Sequence, residues 1–403
     1  MRILHVTESL DPVRGGPPAI VIRLAAAQVA EGHEAHILCH RTDDADGRVD
    51  RCLAVVPGFE GVVRHECEPS SWPYARATAA SARRMLAGIA GSFDIVHLHE
   101  VWLPIVRVSA AAARRAGVPY LVAPHGTLSP WSLRQKARRK KLALALGYRS
   151  MLDHAAALHA NRTEASLIGP LRLRCPVEIL PNGIFVREVE PLPPPGSFRA
   201  RVPELGADPY ILFLARLQLR KGLDYLAEAF IRLAPRHPTV RLVVAGPDEG
   251  CRADFIARIG AAGLEGRVHL PGPIYGAEKI GALVDAACFC LPSREEGFSI
   301  AVLEAMAVGA PVVLSEHCNF PEVAEARAGI VVPLSADAVA DALSRVLSDP
   351  AGAARMGRRA RELVFQDYTW PAVARRSVEI YSRYSPARGP SVARGGRRHY
   401  DAF

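Results

Sequence analysis

Short runs of consecutive apolar residues alternate along the chain with longer segments in which apolar residues recur every three or four positions. Continuous apolar runs are typical of strands covered on both faces, and the longer segments are typical of amphipathic helices. In the first half the runs predict strands at residues 3–7, 35–39, 95–99 and 120–123. In the second half they predict strands at residues 210–215, 241–245, 268–270, 287–291, 311–314 and 329–332.

Predicted helices separate these strands, at residues 18–31, 75–90, 222–234, 253–261, 278–285 and 300–308. This alternation predicts an α/β fold with parallel sheets, and a Pro-rich stretch divides it into two Rossmann-like, doubly wound domains that face each other across a cleft. The predicted parts are a first domain at 1–183, a Pro-rich linker at 184–208 whose stretch at 190–196 suits an exposed position, a second domain at 209–366, a final helix at 367–385 and a disordered basic tail at 386–403.

Composition excludes several classes of protein. With 403 residues, 49% of them hydrophobic, the chain can build two packed cores, and its Gly and Pro residues follow no collagen-like period. No apolar run reaches the length of a membrane span, and the N-terminus enters a predicted strand at once, without a signal peptide. The eight cysteines form no CxxC pair, so we expect reduced thiols and a cytoplasmic protein.

The net charge of +9 is concentrated in two places: six cations lie within residues 134–141, and four arginines lie in the C-terminal tail. The 134–141 segment fits a phosphate-bearing acceptor or peripheral contact with an anionic membrane, and it fits a solvated helix face equally well. We expect the tail to be solvated and without a function. No RNA-binding aromatic pattern or zinc finger accompanies the charge, so no specific nucleic-acid partner is predicted.

Two glutamates flank a predicted helix start in the second half. Glu296 lies in a loop after the strand at 287–291, and Glu304 follows on the helix that begins near Ser299. Free N–H groups at a helix start bind anions, and carboxylates accept hydrogen bonds from the hydroxyls of a ribose or hexose. The alternative interpretation is a pair of surface glutamates beside a turn at Gly297.

A basic turn follows the first strand of the second half. Arg216, Arg220 and Lys221 lie where that strand ends and a helix begins, and such cations stabilise the growing charge of a departing diphosphate. By itself, an Arg and a Lys at this spacing favour the alternative of a basic surface turn. After the first strand of the chain, Gly15 and Gly16 make a tight turn suited to a phosphate or a hydroxyl.

Familiar nucleotide motifs are absent from the sequence. There is no GxGxxG followed by an acidic residue at the required spacing, and there is no GxxxxGK[ST]. Nicotinamide, flavin and P-loop enzymes are therefore disfavoured, and no bound cofactor or metal is predicted.

Three histidines lie at the ends of first-half strands. His97 and His99 share one face of their strand because side chains alternate with period 2, and His125 follows the next strand. We interpret His97 as a packed core residue, and His99 and His125 as functional candidates at the cleft. A zinc site made by His97, His99 and Glu100 is disfavoured because Glu100 faces the other side of the strand.

The motifs at residues 216–222, 245–247, 292–293, 296–304 and 309–312 occur in the order found in the retaining GT-B glycosyltransferases of family 4, the glycosyl transferases group 1. The chain resembles that family over about 380 residues, which implies transfer of a sugar from a nucleotide-diphosphate sugar to a hydroxyl of a glycan or lipid-linked acceptor. The resemblance also implies metal-independent catalysis, a role in bacterial polysaccharide biosynthesis, and a final helix that crosses back to the first domain.

The resemblance assigns roles to residues by their position in the motifs. It implies these catalytic residues: His125, Glu296, Arg216 and Lys221. It implies these donor-binding residues: Gly15, Gly16, Arg216, Lys221, Ile274, Glu296, Gly297, Phe298, Ser299 and Glu304. On the acceptor side we expect His99, Arg138 and Lys141.

Two rival interpretations stay open. A GT-B isomerase acting on the nucleotide-sugar itself would need a second pair of acid–base carboxylates, which the cleft segments lack. A basic protein that binds nucleic acid or an anionic membrane through residues 134–141 would leave Glu296 and Glu304 without a role.

Overall fold

The computed structural model describes residues 1–14, 16–68 and 76–385, apart from the side chains of 76–80. The first half forms a seven-stranded parallel sheet with strand order β3-β2-β1-β4-β5-β6-β7. Its strands are β1 (Arg2–Val6), β2 (Glu34–His40), β3 (Val63–Cys67), β4 (Ile95–His99), β5 (Tyr120–Ala123), β6 (Ala157–Ala160) and β7 (Val177–Ile179). Its helices are α1 (Gly16–Ala30), α2 (Arg48–Ala54), α3 (Arg76–Ile89), α4 (Pro104–Arg115), α5 (Pro130–Arg134), α6 (Ala137–Ala143), α7 (Arg149–Asp153) and α8 (Arg162–Ile168).

The second half forms a six-stranded parallel sheet with strand order β10-β9-β8-β11-β12-β13. Its strands are β8 (Tyr210–Leu214), β9 (Arg241–Ala245), β10 (Val268–Gly272), β11 (Cys288–Leu291), β12 (Val312–Ser315) and β13 (Gly329–Val332). The helices of this half are α9 (Leu223–Leu233), α10 (Arg252–Ala261), α11 (Gly276–Asp285), α12 (Ile300–Ala307), α13 (Glu322–Glu325), α14 (Ala336–Ser348), α15 (Pro350–Asp367) and α16 (Trp370–Tyr384). The predicted fold class is therefore confirmed.

Helices cover both faces of each sheet, which is why the central strands are almost entirely buried. All five residues of β8 and all four of β11 are buried. In β1, Ile3 and Leu4 belong to apolar clusters on opposite faces of the first sheet. All eight cysteines are free thiols, as expected.

The C-terminal part of the predicted linker packs against the second half. The side chains of Phe198 and Leu205 are buried in the core of the second half. The Asp285 carboxylate at the end of α11 accepts hydrogen bonds from the backbone N–H groups of Gly196, Phe198 and Arg199. This segment is bound to the second half because its apolar side chains and its backbone donors both find partners there. The domain bounds themselves stay a prediction.

Helix α16 begins after Thr369, whose side chain caps it by accepting a hydrogen bond from the Ala372 N–H. Its buried residues, among them Trp370 and Tyr381, join the apolar cluster that α1 forms with the first sheet. The last helix of the chain thus packs on the first half, although it follows the second half in sequence. The predicted disordered tail at 386–403 lies outside the described residues.

The basic segment does not form the single helix considered for it. Lys136 has a left-handed backbone (φ 54°), which separates α5 from α6. No helix among the described residues is long and apolar enough to cross a membrane.

Candidate active site

A cavity of about 1620 Å³ lies between the two halves, at the carboxyl ends of their strands. Its walls come from the loops that follow β1, β5, β6, β8 and β11. Strands β8 and β11 are neighbours in the second sheet although β9 and β10 lie between them in sequence. Such a reversal of strand order opens a crevice where ligands of α/β proteins bind. Of the second-half residues predicted from sequence, Arg216, Lys221 and the residues from Glu296 to Ser299 fall into these two loops, whereas Ile274 and Glu304 do not.

The centre of the second-half wall is an ion pair between Lys221 and Glu296. The Lys221 Nζ lies 2.6 and 2.8 Å from the two carboxylate oxygens of Glu296. Ser293 donates a further hydrogen bond of 2.5 Å to Oε1 of the same carboxylate. Both charged side chains are largely buried, with 15% and 5% of their surfaces exposed. The sequence pointed to both residues, but it gave no sign that they pair.

The N-terminus of α12 opens into the same cavity through Ser299, Ile300 and Ala301. The Ser299 side chain does not cap the helix, and the N–H groups of Ile300 and Ala301 have no hydrogen-bond partner among the described residues. Phe298 lines the cavity and stacks on Tyr368, which fixes the loop just before the helix. Free N–H groups and the positive end of the helix dipole favour negative charge at this wall.

The two arginines of the basic turn have different partners. Arg216 is 54% exposed and pairs with Glu249 at 2.8 Å. The Arg220 guanidinium donates a hydrogen bond to the Glu295 carbonyl and lies 5.6 Å from the ring centre of Trp131, which belongs to the first half. Arg220 thus connects the two sides of the cleft by a cation–π contact.

Glu304 lies one helical turn beyond the open end of α12 and lines a neighbouring cavity of about 1440 Å³. Its carboxylate pairs with Lys279 at 2.5 Å, and the exposed Tyr275 ring borders the same space. Ile274 is only 4% exposed and packs into the core of the second half, so its side chain does not line either cavity.

On the first-half side, His125 lines the large cavity from a sharp turn. His125 and Gly126 both have left-handed backbones, with φ of 50° and 78°. The Gly126 N–H donates a 2.6 Å hydrogen bond to the buried Glu164 carboxylate, and burial raises the pKa of Glu164 to about 7. Gly16 lines the cavity at the start of α1, and Gly15 lies outside the described residues.

The three residues predicted on the acceptor side do not line this cavity. His99 is fully buried behind His125, whose Nε2 lies 3.0 Å from the His99 Nδ1. Arg138 and Lys141 are exposed on α6 and have no ion-pair partner among the described residues.

Residues that cross the cleft were missed by the sequence analysis. Asn161 caps α8 by accepting from the Glu164 N–H, and its side-chain amide donates a 2.5 Å hydrogen bond to the Gly297 carbonyl. Ser129 donates to the Glu295 carboxylate at 2.7 Å. An Asn before a helix is a normal cap signal, and nothing in its local sequence reveals a partner 136 residues away.

Among the described residues, His5, His97 and His99 have ring nitrogens close enough together to hold a metal ion. Both nitrogens of each ring already have a hydrogen-bond partner. A metal would therefore have to displace an existing bond at each ring that binds it. The residues do not form a ready-made metal site.

Two family models cover most of the chain. The model described as glycosyl transferases group 1 matches residues 197–363, and the model described as glycosyl transferase 4-like domain matches residues 15–183. The chain belongs to the group 1 glycosyltransferases. The predicted family is confirmed, and glycosyltransferase activity follows at this coarse level.

Curated relatives match this glycosyltransferase over nearly its whole length. Glycogen synthase of Mycobacterium tuberculosis is 28% identical over 94% of both chains. A GDP-mannose-dependent alpha-(1-6)-phosphatidylinositol monomannoside mannosyltransferase of Mycolicibacterium smegmatis is 29% identical over 96% of this chain and 100% of the relative.

Solved structures show that the fold is GT-B. Anabaena HepE in complex with UDP-glucose matches with a TM-score of 0.71 at 18% identity, over 95% of this chain and 100% of that one. WaaG, a glycosyltransferase involved in lipopolysaccharide biosynthesis, matches with a TM-score of 0.69 at 16% identity, over 94% and 99%.

Proposed function

We propose that this glycosyltransferase moves a sugar from a nucleotide-diphosphate sugar to a hydroxyl of a glycan or lipid-linked acceptor, with retention of configuration and without a metal. The observation that carries the proposal is the uncapped N-terminus of α12 beside the buried pair of Lys221 and Glu296. The HepE structure holds UDP-glucose, and the mycobacterial mannosyltransferase is GDP-mannose-dependent; these relatives support a nucleotide-sugar donor.

The charges around the cavity suit a diphosphate. Four cations line it, Arg14, Arg216, Arg220 and Lys221, against three carboxyl groups, Glu164, Glu249 and Glu296. An incoming diphosphate would take over Lys221 and the free N–H groups of α12 as its partners. These groups stabilise the leaving diphosphate as its negative charge grows, which is the work a divalent metal does in other transferases.

The positions along α12 suit an extended donor. Ile300 and Glu304 are four residues apart, about 6 Å along the helix axis. A diphosphate bound at the helix start would place its ribose near Glu304, whose carboxylate can accept from paired hydroxyls. Tyr275, exposed beside Glu304, offers a ring on which a base could stack.

The buried ion pair argues against Glu296 as a covalent nucleophile. Its carboxylate is held by Lys221 and Ser293, and its backbone carbonyl accepts from Asn319. The carboxylate is instead placed to accept from a hydroxyl of the transferred sugar. In our proposal the acceptor hydroxyl attacks from the face that the diphosphate leaves, which retains the configuration.

The first experiment is a thermal-shift panel of UDP, GDP, ADP and dTDP, each with its matching sugars. A ligand at 100 times its Kd stabilises the protein by about 2.7 kcal/mol, which raises the Tm by roughly 5–10 °C for domains of this size. We expect one nucleotide to stand out and Glu304→Ala to abolish its shift. Glu362→Ala, an exposed glutamate on α15, is the control and should keep the shift. A flat panel with every nucleotide and sugar contradicts the proposal.

The basic surface of α6 suits a polysaccharide enzyme that works at an anionic membrane. Leu142 on α6 and Leu146 just beyond its end are 60% and 64% exposed, on the same segment as the exposed cations Arg138 and Lys141. Exposed apolar side chains flanked by cations bind the surface of anionic bilayers. Cosedimentation with phosphatidylglycerol vesicles, lost in Arg138→Glu/Lys141→Glu, tests this part of the proposal; sedimentation that does not depend on these residues contradicts it.

A further inference from the structure

Five histidines form a continuous hydrogen-bonded network beneath the cleft, together with Gln28 and Tyr381; we call it the histidine network. On the cleft side, the His125 Nε2 lies 3.0 Å from the His99 Nδ1. The His99 Nε2 lies 3.0 Å from the His5 Nδ1, and the His5 Nε2 lies 2.7 Å from the Gln28 Oε1. Strands β1 and β4, the turn after β5 and helix α1 supply this half of the network.

The other half of the network continues through α16. The Gln28 Nε2 lies 3.3 Å from the Tyr381 hydroxyl, which lies 2.7 Å from the His97 Nδ1. The His97 Nε2 lies 2.9 Å from the His159 Nδ1, and the His159 Nε2 lies 2.9 Å from the Leu180 carbonyl oxygen. The network therefore ends at a backbone oxygen, which only accepts hydrogen bonds.

The carbonyl oxygen of Leu180 determines where the protons lie in the half of the network that runs from His159 to Tyr381. Because Leu180 can only accept, the His159 Nε2 carries a proton and its Nδ1 accepts from the Nε2–H of His97. The Nδ1 of His97 then has only a lone pair, so the Tyr381 hydroxyl donates to it. The Tyr381 oxygen in turn accepts from the Gln28 amide.

The same reasoning continues to the cleft. Ser377 donates its own hydroxyl proton to the Ala374 carbonyl, so it too accepts from the Gln28 Nε2, at 2.8 Å. The amide nitrogen of Gln28 thus faces α16, and its oxygen faces His5. His5 must then carry its proton on Nε2, so its Nδ1 accepts from the Nε2–H of His99. The Nδ1 of His99 in turn accepts from the Nε2–H of His125.

One ring nitrogen is left over at the cleft end. The His125 Nδ1 has no hydrogen-bond partner among the described residues, and His125 lines the cavity. The other groups around this ring are His99, His159 with its ring centre 6.5 Å away, and the cavity residues Glu164, Arg220 and Glu296. Burial lowers the pKa of His125 to about 4, so the ring is neutral at physiological pH.

We infer that the histidine network is a positioning device: it holds His125 in the Nε2–H tautomer, so that Nδ1 faces the cleft as a hydrogen-bond acceptor for a hydroxyl of the transferred sugar. Gln28 is the positioning residue, because its side-chain oxygen fixes which nitrogen donates in each hydrogen bond between His5 and His125. It lies 23 residues from His5 in sequence. This inference rests on the proposed function and deepens it. The network is not a path for protons, because the Gln28 amide between His5 and Tyr381 does not relay them.

The experiment combines nitrogen-15 NMR of histidine-labelled protein with steady-state kinetics. In the unmodified protein we expect the His125 ring, assigned by its loss in His125→Gln, to be neutral and Nε2-protonated from pH 5.5 to 8. Gln28→Leu removes the acceptor for His5, so the His125 signal should become a mixture of tautomers. Turnover should fall about tenfold, with an unchanged Kd for the nucleotide.

Two further variants separate positioning from general loss of structure. Gln28→Glu keeps an oxygen that accepts from His5, and burial favours its neutral acid, whose O–H can replace the amide donor toward α16. It should therefore retain the tautomer and most of the turnover. Ser109→Ala, another buried polar residue of the first half, lies outside the network and should leave both unchanged.

Three results would overturn the inference: a charged or Nδ1-protonated His125 in the unmodified protein, a Gln28→Leu variant with mixed tautomers and normal turnover, or a Gln28→Glu variant that behaves like Gln28→Leu. The first result comes from the unmodified protein and needs only the His125→Gln variant for assignment. Because the tautomer is read without substrate, failure of the proposed function would appear separately, as absence of binding by every nucleotide-sugar.

Discussion

At the scale of single residues, the buried pair of Lys221 and Glu296 is the centre of the donor site that we propose. We predict that Lys221→Met lowers turnover by about 10²- to 10³-fold, because the leaving diphosphate loses a pre-positioned cation. The substitution also leaves the Glu296 carboxylate buried without its partner, so the Tm should fall as well. Steady-state kinetics and thermal melting of the same preparations measure the two effects.

The double variant Lys221→Met/Glu296→Gln separates stability from catalysis. It removes both charges, so the Tm should return toward that of the unmodified protein while turnover stays low. Arg358→Ala, an exposed cation on α15, controls for loss of charge alone. Turnover of the double variant within tenfold of normal would show that the pair is structural.

The same two residues show how much of the site could be predicted from the sequence. Lys221 and Glu296 could each be named because a cation or a carboxylate at the end of a parallel strand faces the cleft, whatever the rest of the chain does. Their pairing could not be named, because it depends on two loops 75 residues apart approaching to hydrogen-bond distance. His99 was assigned to the acceptor side because it ends a strand, but His125 covers it.

At the scale of elements, a single glycine brings the two loops of the site together. Gly222 has a φ of 72°, and a Cβ placed there would lie 1.8 Å from the Pro292 carbonyl oxygen. We predict that Gly222→Ala costs more than about 2 kcal/mol of unfolding free energy, from backbone strain and the clash together, and lowers turnover by moving Lys221. Urea unfolding and kinetics measure both effects.

The control for Gly222 is Gly263, which has a similar φ of 65° but open space around its Cβ position. Gly263→Ala should cost about 1 kcal/mol, from strain alone, and leave turnover unchanged. Equal losses in the two variants would mean that the contact with Pro292 does not matter.

Most elements were predictable where burial makes them apolar; the exception is β6, a buried strand of four residues, ALHA, that was missed. The expected strands at 95–99 and 329–332 have the observed bounds of β4 and β13. Strand β3 was missed because its sequence, VRHEC, is polar and mostly exposed at the sheet edge, and β7 was missed because it has three residues. The break at Lys136 was missed because only its backbone conformation, not its residue type, ends the helix.

At the scale of the whole molecule, the packing of the last helix on the first half is the feature that local sequence does not determine. The apolar face of α16 predicts that it is buried, but either half offers a surface for it. In the structure, the hydrogen bond between Gln28 and Tyr381 joins α1 to α16 across 353 residues and so helps to hold α16 on the first half. Polar contacts of this kind leave no periodic signal.

The histidine network makes the whole fold sensitive to acid. Burial lowers the pKa of His5 and of His125 to about 4 and that of His159 to about 3. Burial, together with the neighbouring rings, holds the pKa of His97 and His99 well below the usual value of 6.5. Because the unfolded chain takes up protons first, the stability these rings contribute is complete above about pH 6.5 and is lost as the pH falls toward about 4.

We therefore predict a steep fall in unfolding free energy between pH 6.5 and pH 4.5, of up to about 1.4 kcal/mol per pH unit for each of these rings. Urea unfolding at half-unit steps of pH measures the slope. His154→Gln replaces an exposed ring and should leave the slope unchanged. His159→Gln should reduce the slope by up to about 1.4 kcal/mol per pH unit, which corresponds to one proton. An unfolding free energy that is level from pH 7 to pH 5 would mean that the rings are charged in the folded protein, which would also remove the basis for a single tautomer at His125.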